Sequence, residues 1–145
     1  MKVEAIKKAM LAEHTTLRNQ LEVVSDLAKR VALEDGFYEK DLREAAEELA
    51  SLLVSHMESE ERHLAALSRG GNSHWAHHLN AFKQQHVHQR TLLAHFLERV
   101  NTIHALRRLG EFVETMVTAV QLDMEQEELA LFAQESAGVT SVHGA

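Results

Sequence analysis

Apolar residues recur every three or four positions through most of this chain, the spacing of one buried face on an α-helix. Four such segments cover about residues 3–31, 38–68, 74–100 and 105–134. Turn-forming residues separate them, with Glu34-Asp35-Gly36 after the first and Arg69-Gly70-Gly71 after the second. No segment alternates apolar and polar residues as a half-buried strand would. The pattern therefore predicts an all-α protein.

The lengths of the segments and breaks predict how the helices are arranged. Helices of about 25 to 30 residues with short connections place consecutive helices side by side in opposite directions. Proline is absent, so no residue of this type interrupts a long helix. We predict an up-down-up-down antiparallel four-helix bundle over residues 1–135, followed by a disordered tail of small and polar residues at 136–145.

The composition is that of a globular protein and excludes several classes of function. The net charge of −7 disfavours binding to nucleic acid and to anionic membrane surfaces. Without cysteine there are no disulfides, thiolate zinc sites, iron–sulfur clusters or cysteine nucleophiles. No apolar stretch reaches the ~20 residues of a membrane span, and the N-terminus lacks the apolar core of a signal peptide. We expect a cytoplasmic protein, of an oligomeric state that the sequence does not indicate.

Polar residues interrupt the predicted apolar faces at matching heights. One metal-competent residue lies near the middle of each inner face: His14, His56, His86 and Asp123. His14 and His56 are equally far from Asp35 in the first turn, and His56 and His86 are equally far from Gly71 in the second. Antiparallel neighbours therefore bring the three histidines into one layer, which Asp123 joins if the third turn centres on His104 or Ala105. Glu60 and Glu127 follow about 6 Å further along the second and fourth helices.

Buried carboxylates in one layer require a positive partner. Leaving such a charge uncompensated costs several kcal/mol per ion, and the predicted inner faces carry no lysine or arginine, with Arg90 at the edge of one of them. The layout suits two metal ions bridged by carboxylates. Imidazole and carboxylate ligands in a bundle core favour iron or manganese, although zinc would also bind.

Two motifs resemble those of the hemerythrin and HHE cation-binding family. Glu13-His14-Thr15-Thr16-Leu17 resembles the EHxxL motif of the family's first helix. The segment from His56 to Glu61 is similar to its HxxxEE signature, which recurs from Asp123 to Glu128 with aspartate in the histidine position. The resemblance covers about residues 5–133. It implies a non-haem protein with two iron ions, bridged by an oxo or hydroxo group and by carboxylates, that binds or senses O2 or NO.

The resemblance also implies a role for each ligand. His14 and His56 would bind one iron, Glu60 and Glu127 would bridge the pair, and His86 and Asp123 would bind the other. The chain departs from the family at Phe82, which takes the place of the first histidine of a third-helix HxxxH, and at Asp123. His63, one turn beyond Glu60, is either a replacement ligand or a hydrogen-bond partner of a carboxylate.

Other expectations concern the surroundings of the site and its chemistry. We predict that His74, His77 and His78 lie at the surface. The ligand pocket is expected to be lined by Phe82, Leu79, Leu53 and Met116. Besides O2 or NO binding, the sequence allows an enzyme (an oxidase, peroxidase or NO reductase) or an iron donor for repair, with the same centre. It also allows a single zinc or manganese ion that only stabilises the bundle.

Overall fold

The computed structural model describes residues 2–71 and 73–144, with side chains for 3–71 and 73–130. Four helices follow one another, α1 (Lys2–Ala32), α2 (Glu39–Ser68), α3 (Ser73–Thr102) and α4 (Leu106–Gly144), with a 3-10 turn at Gly36–Tyr38. No strand occurs in the described ranges. Helix α1 packs against α2 and α4, and α2 packs against α3. The predicted antiparallel four-helix bundle is confirmed.

Short turns set the direction of each helix. After α1, Glu34 adopts a left-handed backbone with φ of 67°, and the carboxylate of Asp35 accepts a hydrogen bond of 3.1 Å from the backbone N–H two residues later. After α2, Gly71 adopts a φ of 86°, which glycine tolerates because it has no Cβ. The guanidinium of Arg43 donates to two carbonyls at the end of α3. These contacts satisfy backbone groups that the helix ends leave unpaired.

Helix α4 extends beyond the predicted end of the bundle. It is helical through Gly144, into the segment 136–145 for which the sequence predicts a disordered tail. This segment contains no proline that would stop a helix.

A layer of polar side chains divides the buried core into two parts. The larger part holds the buried residues of all four helices toward the α1–α2 and α3–α4 connections. The smaller part lies at the opposite end and contains Met10, Leu64, Leu67, Trp75 and Phe82. His14, His56, Glu60 and His86 lie between the two and are themselves buried. The fold therefore places the predicted functional residues in the middle of the bundle.

The inner face of α4 is rotated from the face that the sequence predicts, which comprises Leu109, Phe112, Met116, Ala119, Val120 and Ala130. Phe112, Met116 and Ala119 are only partly buried or are exposed, and the buried residues are Leu109, Val113, Val117, Val120 and Met124. Both sets have helical spacing, so periodicity alone does not choose between them. The choice is made by a close approach to α1 at the buried Gly110, where a Cβ would lie 2.5 Å from the carbonyl oxygen of Ala28.

We expect Gly110→Ala to destabilise the bundle by about 1 to 3 kcal/mol, because the added methyl group forces two helix backbones apart. Urea denaturation measures the change. Gly36→Ala is the matched control, since its Cβ would meet only a side-chain methyl at 3.6 Å. Equal stability of the two variants would contradict the close packing of α1 on α4.

The seam between α3 and α4 is the loosest of the four between neighbouring helices. The rings of Phe96 and Phe112 stack across it with centroids 5.6 Å apart. Beyond this stack, toward the polar layer, the two helices stand apart and leave a cleft. Among the described residues, no helix carries an apolar stretch long enough to cross a lipid bilayer.

Candidate metal centre

Four side chains from three helices each bring one potential ligand atom to a common point in the bundle interior. They are His14 of α1, His56 and Glu60 of α2, and Glu127 of α4, and the four atoms lie within 4.8 Å of one another. The Nε2 atoms of His14 and His56 are 3.2 Å apart. Glu60 Oε2 lies 2.8 Å from His56 Nε2, and Glu127 Oε2 lies 3.4 Å from His14 Nε2. These four residues can hold a metal ion.

The spacing of these atoms fits ligands around one ion. Atoms bound at about 2.1 Å lie about 3.0 to 3.4 Å from one another in octahedral or tetrahedral geometry. The pairs that include a histidine range from 2.8 to 3.9 Å, and all four atoms lie within 4.8 Å of one another. Glu60 Oε2 and Glu127 Oε2 are buried, and no donor reaches either with hydrogen-bond geometry. Leaving a buried carboxylate oxygen unsatisfied is costly. A cation at the common point removes that cost.

The electrostatic environment of the group is strongly negative. Burial by itself lowers the pKa of a histidine, because water no longer solvates the cation. At His14, the nearby carboxylates of three glutamates outweigh burial, with the strongest effect from Glu127, and raise the pKa to about 10. At His56, Glu127 and Glu60 likewise outweigh burial and raise the pKa to about 9. An environment that stabilises protons this strongly also stabilises a metal cation.

The two carboxylate oxygens of Glu60 lie near histidines of different helices. Its Oε2 belongs to the group of four, whereas its Oε1 lies 3.2 Å from Nε2 of His86 on α3. Burial would raise the pKa of Glu60, but hydrogen bonds with the surrounding imidazoles outweigh burial and lower it. His86 is 1% exposed, and burial, which lowers its pKa, is outweighed by Glu60 and Glu61, which raise it. The carboxylate of Glu60 therefore contacts His56 through one oxygen and His86 through the other.

The second glutamate of each EE pair orients a histidine of the neighbouring helix. Glu61 Oε1 lies 3.1 Å from Nδ1 of His86, and Glu128 Oε1 lies 2.9 Å from Nδ1 of His14. A carboxylate on Nδ1 leaves Nε2 free to face the site and makes the imidazole a stronger ligand. His56 is different, because its Nδ1 has no hydrogen-bond partner among the described residues.

Arginines hold these outer glutamates in turn. Arg18, four residues after His14, lies 2.7 Å from Glu128, and Arg90, four residues after His86, lies 3.9 Å from Glu61. The motif HxxxR thus occurs in α1 and α3, and a pair of adjacent glutamates occurs in α2 (Glu60-Glu61) and in α4 (Glu127-Glu128). This repeat relates α1 and α2 to α3 and α4 by an approximate two-fold axis. Sequence reasoning did not find the roles of the arginines and outer glutamates, although the repeated spacings were visible.

The inner faces carry one lysine, against expectation. Lys7 is buried on α1, but its ammonium lies over the ring of Trp75, 6.0 Å from the centroid. It precedes His14 by two helical turns, about 10 Å. Lys7 therefore belongs to the smaller part of the core, away from the group of four.

Asp123 does not join the group of four. It is exposed on the α3 side of α4, because the rotation of this helix directs Val120, Met124 and Glu127 inward instead. Burial of part of its carboxyl, together with the charge of Glu127, raises the pKa of Asp123. The structure thus places Asp123 beside the site, at the α3–α4 cleft.

Comparisons with known proteins add nothing to this geometry. No family model, curated protein or solved structure matches the chain. What supports a metal centre here is the arrangement of the side chains themselves.

The group of four does not include His63, His74, His77 or His78. His63 is half-buried, with its Nδ1 3.9 Å from a carboxylate oxygen of Glu13. His74 and His77 are exposed as predicted, but His78 is buried, so its assignment to the surface was wrong. The reason is its spacing, three residues after Trp75 and four before Phe82, which puts it on their face.

A cavity of about 350 Å³ fills the α3–α4 cleft and reaches His56 and Glu127. Its walls are mainly apolar and include Leu53, Met57, Leu92, Leu93, Phe96, Phe112, Met116, Ala119, Val120 and Met124. Leu53 and Met116 were predicted to line a ligand pocket and do line this one. Phe82 and Leu79 do not, because they pack in the smaller part of the core, on the other side of His86.

We expect Glu61→Ala or Glu128→Ala to weaken metal binding by about 10- to 100-fold, because each change removes the partner that orients a ligating imidazole. Competition with a coloured chelator measures the affinity. Glu58→Ala, an exposed position on α2, is the control. Unchanged affinity in both test variants would contradict the orienting role.

Proposed function

We propose that this protein is a hemerythrin-like non-haem di-iron protein that binds or senses O2 or NO at the centre of its bundle. The observation that carries the proposal is the convergence of His14, His56, Glu60 and Glu127, with two buried carboxylate oxygens that no hydrogen bond satisfies. The donor set of two imidazoles and two carboxylates suits iron or manganese better than calcium.

Two ion positions are proposed, with Glu60 between them. The first is the common point of the group of four. The second lies beside Glu60 Oε1, where His86 supplies an imidazole at a spacing of 3.2 Å, suitable for two ligands of one ion. Asp123, which interacts electrostatically with Glu127, is the proposed additional carboxylate on this side. His63 would act on the surrounding carboxylates rather than on an ion.

Iron ions with an open coordination position would supply electrons to a bound diatomic molecule. The chain contributes the surroundings of that position. The outer glutamates fix His14 and His86, while the apolar walls of the cleft keep the side of His56 and Glu127 largely free of polar groups. Apolar walls offer few hydrogen-bonding groups that could relay protons, which slows proton transfer and hydrolysis at a reactive centre.

The size of the cleft favours a second candidate, an enzyme with the same centre. A cavity of about 350 Å³ is roughly ten times the volume of one liquid water molecule, far more than a diatomic ligand needs. An oxidase or peroxidase that acts on an organic substrate would use this space, whereas binding of O2 or NO alone would not.

Visible absorption of the iron-loaded, reduced protein separates the candidates. A binding or sensing protein is expected to develop a band with O2 or NO that disappears when the gas is removed. An enzyme is expected to consume O2, peroxide or NO repeatedly in the presence of a reductant. Loading with zinc but not with iron, and no visible band, would overturn both in favour of a purely structural ion.

A further inference from the structure

The α3–α4 cleft has a second chemical feature at the end away from the polar layer. Arg99 lies there and contributes to the lining of the cavity. Its guanidinium lies 5.8 Å from the ring centroid of Phe112. A smaller depression of about 240 Å³ adjoins this end, and its charged lining residues are Arg99, Arg108 and Glu111, the last of which is paired with Arg107. Arg99, Phe112 and Thr115 line both spaces, so the two are continuous.

These two arginines are available to a ligand. Neither Arg99 nor Arg108 forms an ion pair with any carboxylate in the described part of the chain, whereas Arg18, Arg43 and Arg107 each have a glutamate partner. Two guanidiniums that line one depression attract an anion, which each can bind through charge-assisted hydrogen bonds. The two arginines therefore add local positive charge to a chain whose net charge is −7.

The cleft itself suits an apolar chain rather than a compact molecule. On α4 it extends from Phe112 to Glu127, a helical distance of about 22 Å. Thr115 and Ala119 are small, exposed members of its lining, so it opens to solvent between the helices. The two-fold-related seam between α1 and α2 packs more closely. The opening is therefore a departure from the symmetry of the bundle.

We propose that the α3–α4 cleft binds a single-chain alkyl carboxylate, with its carboxylate between Arg99 and Arg108 and its chain in the apolar cavity. Charge complementarity fixes the direction of the ligand, because the opposite end of the cavity carries Asp123 and Glu127. The end of the chain then points toward His56. Binding at the arginines does not require the metal, but the alkyl chain occupies the same cavity that borders the proposed metal centre.

Calorimetric titration with decanoate, below its micelle concentration, tests the proposal in metal-free and metal-loaded protein. Saturable binding of one decanoate per chain is expected in both. Arg99→Gln/Arg108→Gln should weaken it at least about tenfold. Arg62→Gln/Lys83→Gln, at two exposed positions that line no part of the cleft, is the control with the same change in charge. Ala119→Phe should abolish binding by filling the cavity, whereas Thr118→Phe, on the neighbouring exposed position, should not. Circular dichroism verifies that each variant is folded.

Ligand analogues test the direction of binding. Decanol and decyltrimethylammonium lack the anionic head and are expected to bind at least about tenfold more weakly than decanoate. The proposal is overturned if the wild-type protein shows no saturable decanoate binding, if the arginine double variant binds as well as the wild type, or if decanol equals decanoate. None of these outcomes would affect the proposed metal centre, which the same samples report through their metal content.

Discussion

Replacing Glu60 and Glu127 together by glutamine is expected to reduce the metal content from two ions per chain to nearly none. Both carboxylates contribute an anionic oxygen to the group of four, and Glu60 also faces His86 with its second oxygen. A carboxamide is neutral and is a poor ligand for iron or manganese. Because direct ligands are lost, the decrease in affinity should exceed the roughly hundredfold limit for an orienting residue.

The control for this variant lies on the same helices. Glu58 and Glu125 precede Glu60 and Glu127 by two residues and are exposed. Glu58→Gln/Glu125→Gln therefore has the same change in charge without a change at the site, and it should retain both ions. Metal analysis after gel filtration gives the content of each variant, with circular dichroism to verify folding. Two retained ions in the Glu60/Glu127 variant would exclude a bridging role for these residues.

The metal-free protein is expected to lose several kcal/mol of stability as the pH rises from about 6.5 to 10. Neighbouring glutamates outweigh burial and raise the pKa of His14 to about 10 and of His56 to about 9. A group whose pKa is higher in the folded state contributes stability that is complete below its ordinary pKa of 6.5. That contribution disappears as the pH rises through the folded-state pKa. Urea denaturation at several pH values measures the decrease.

Metal binding should prevent this loss of stability at high pH. An ion binds the deprotonated imidazoles, so its affinity increases with pH over the same window and the loaded protein does not lose this stability. The metal-free Glu60→Gln/Glu127→Gln variant should show a flatter profile, because the carboxylates that raise the pKa of both imidazoles are gone. A flat profile of the metal-free wild type, or equal slopes in wild type and variant, would contradict the electrostatics of the site.

The bundle could be predicted from sequence because its evidence is local and repeated. Apolar spacing, the absence of proline and the glycine-containing breaks each indicate the same four helices. Equal distances from two sharp turns were enough to bring His14, His56 and His86 to one level. Both turns carry a residue with a left-handed backbone, Glu34 and Gly71, which makes their centres easy to locate.

The fourth helix was harder because its position depends on packing. Its connection from α3 contains no glycine, and two alternative apolar faces fit the same periodicity. The close approach of Gly110 to α1 selects the face that points Glu127 inward and leaves Asp123 exposed. Pairwise contacts between distant helices, such as Glu128 with His14, are likewise not encoded in local spacing. The α3–α4 cleft follows from the same rotation and was not foreseen.

Anomalous X-ray diffraction at the iron edge, from crystals of the protein loaded with ferrous iron, tests the metal centre most directly. We predict a peak about 2.1 Å from His14 Nε2, His56 Nε2, Glu60 Oε2 and Glu127 Oε2, and a second beside Glu60 Oε1 and His86. A folded bundle with no peak in the polar layer, whether loaded with iron, manganese or zinc, would contradict the assignment.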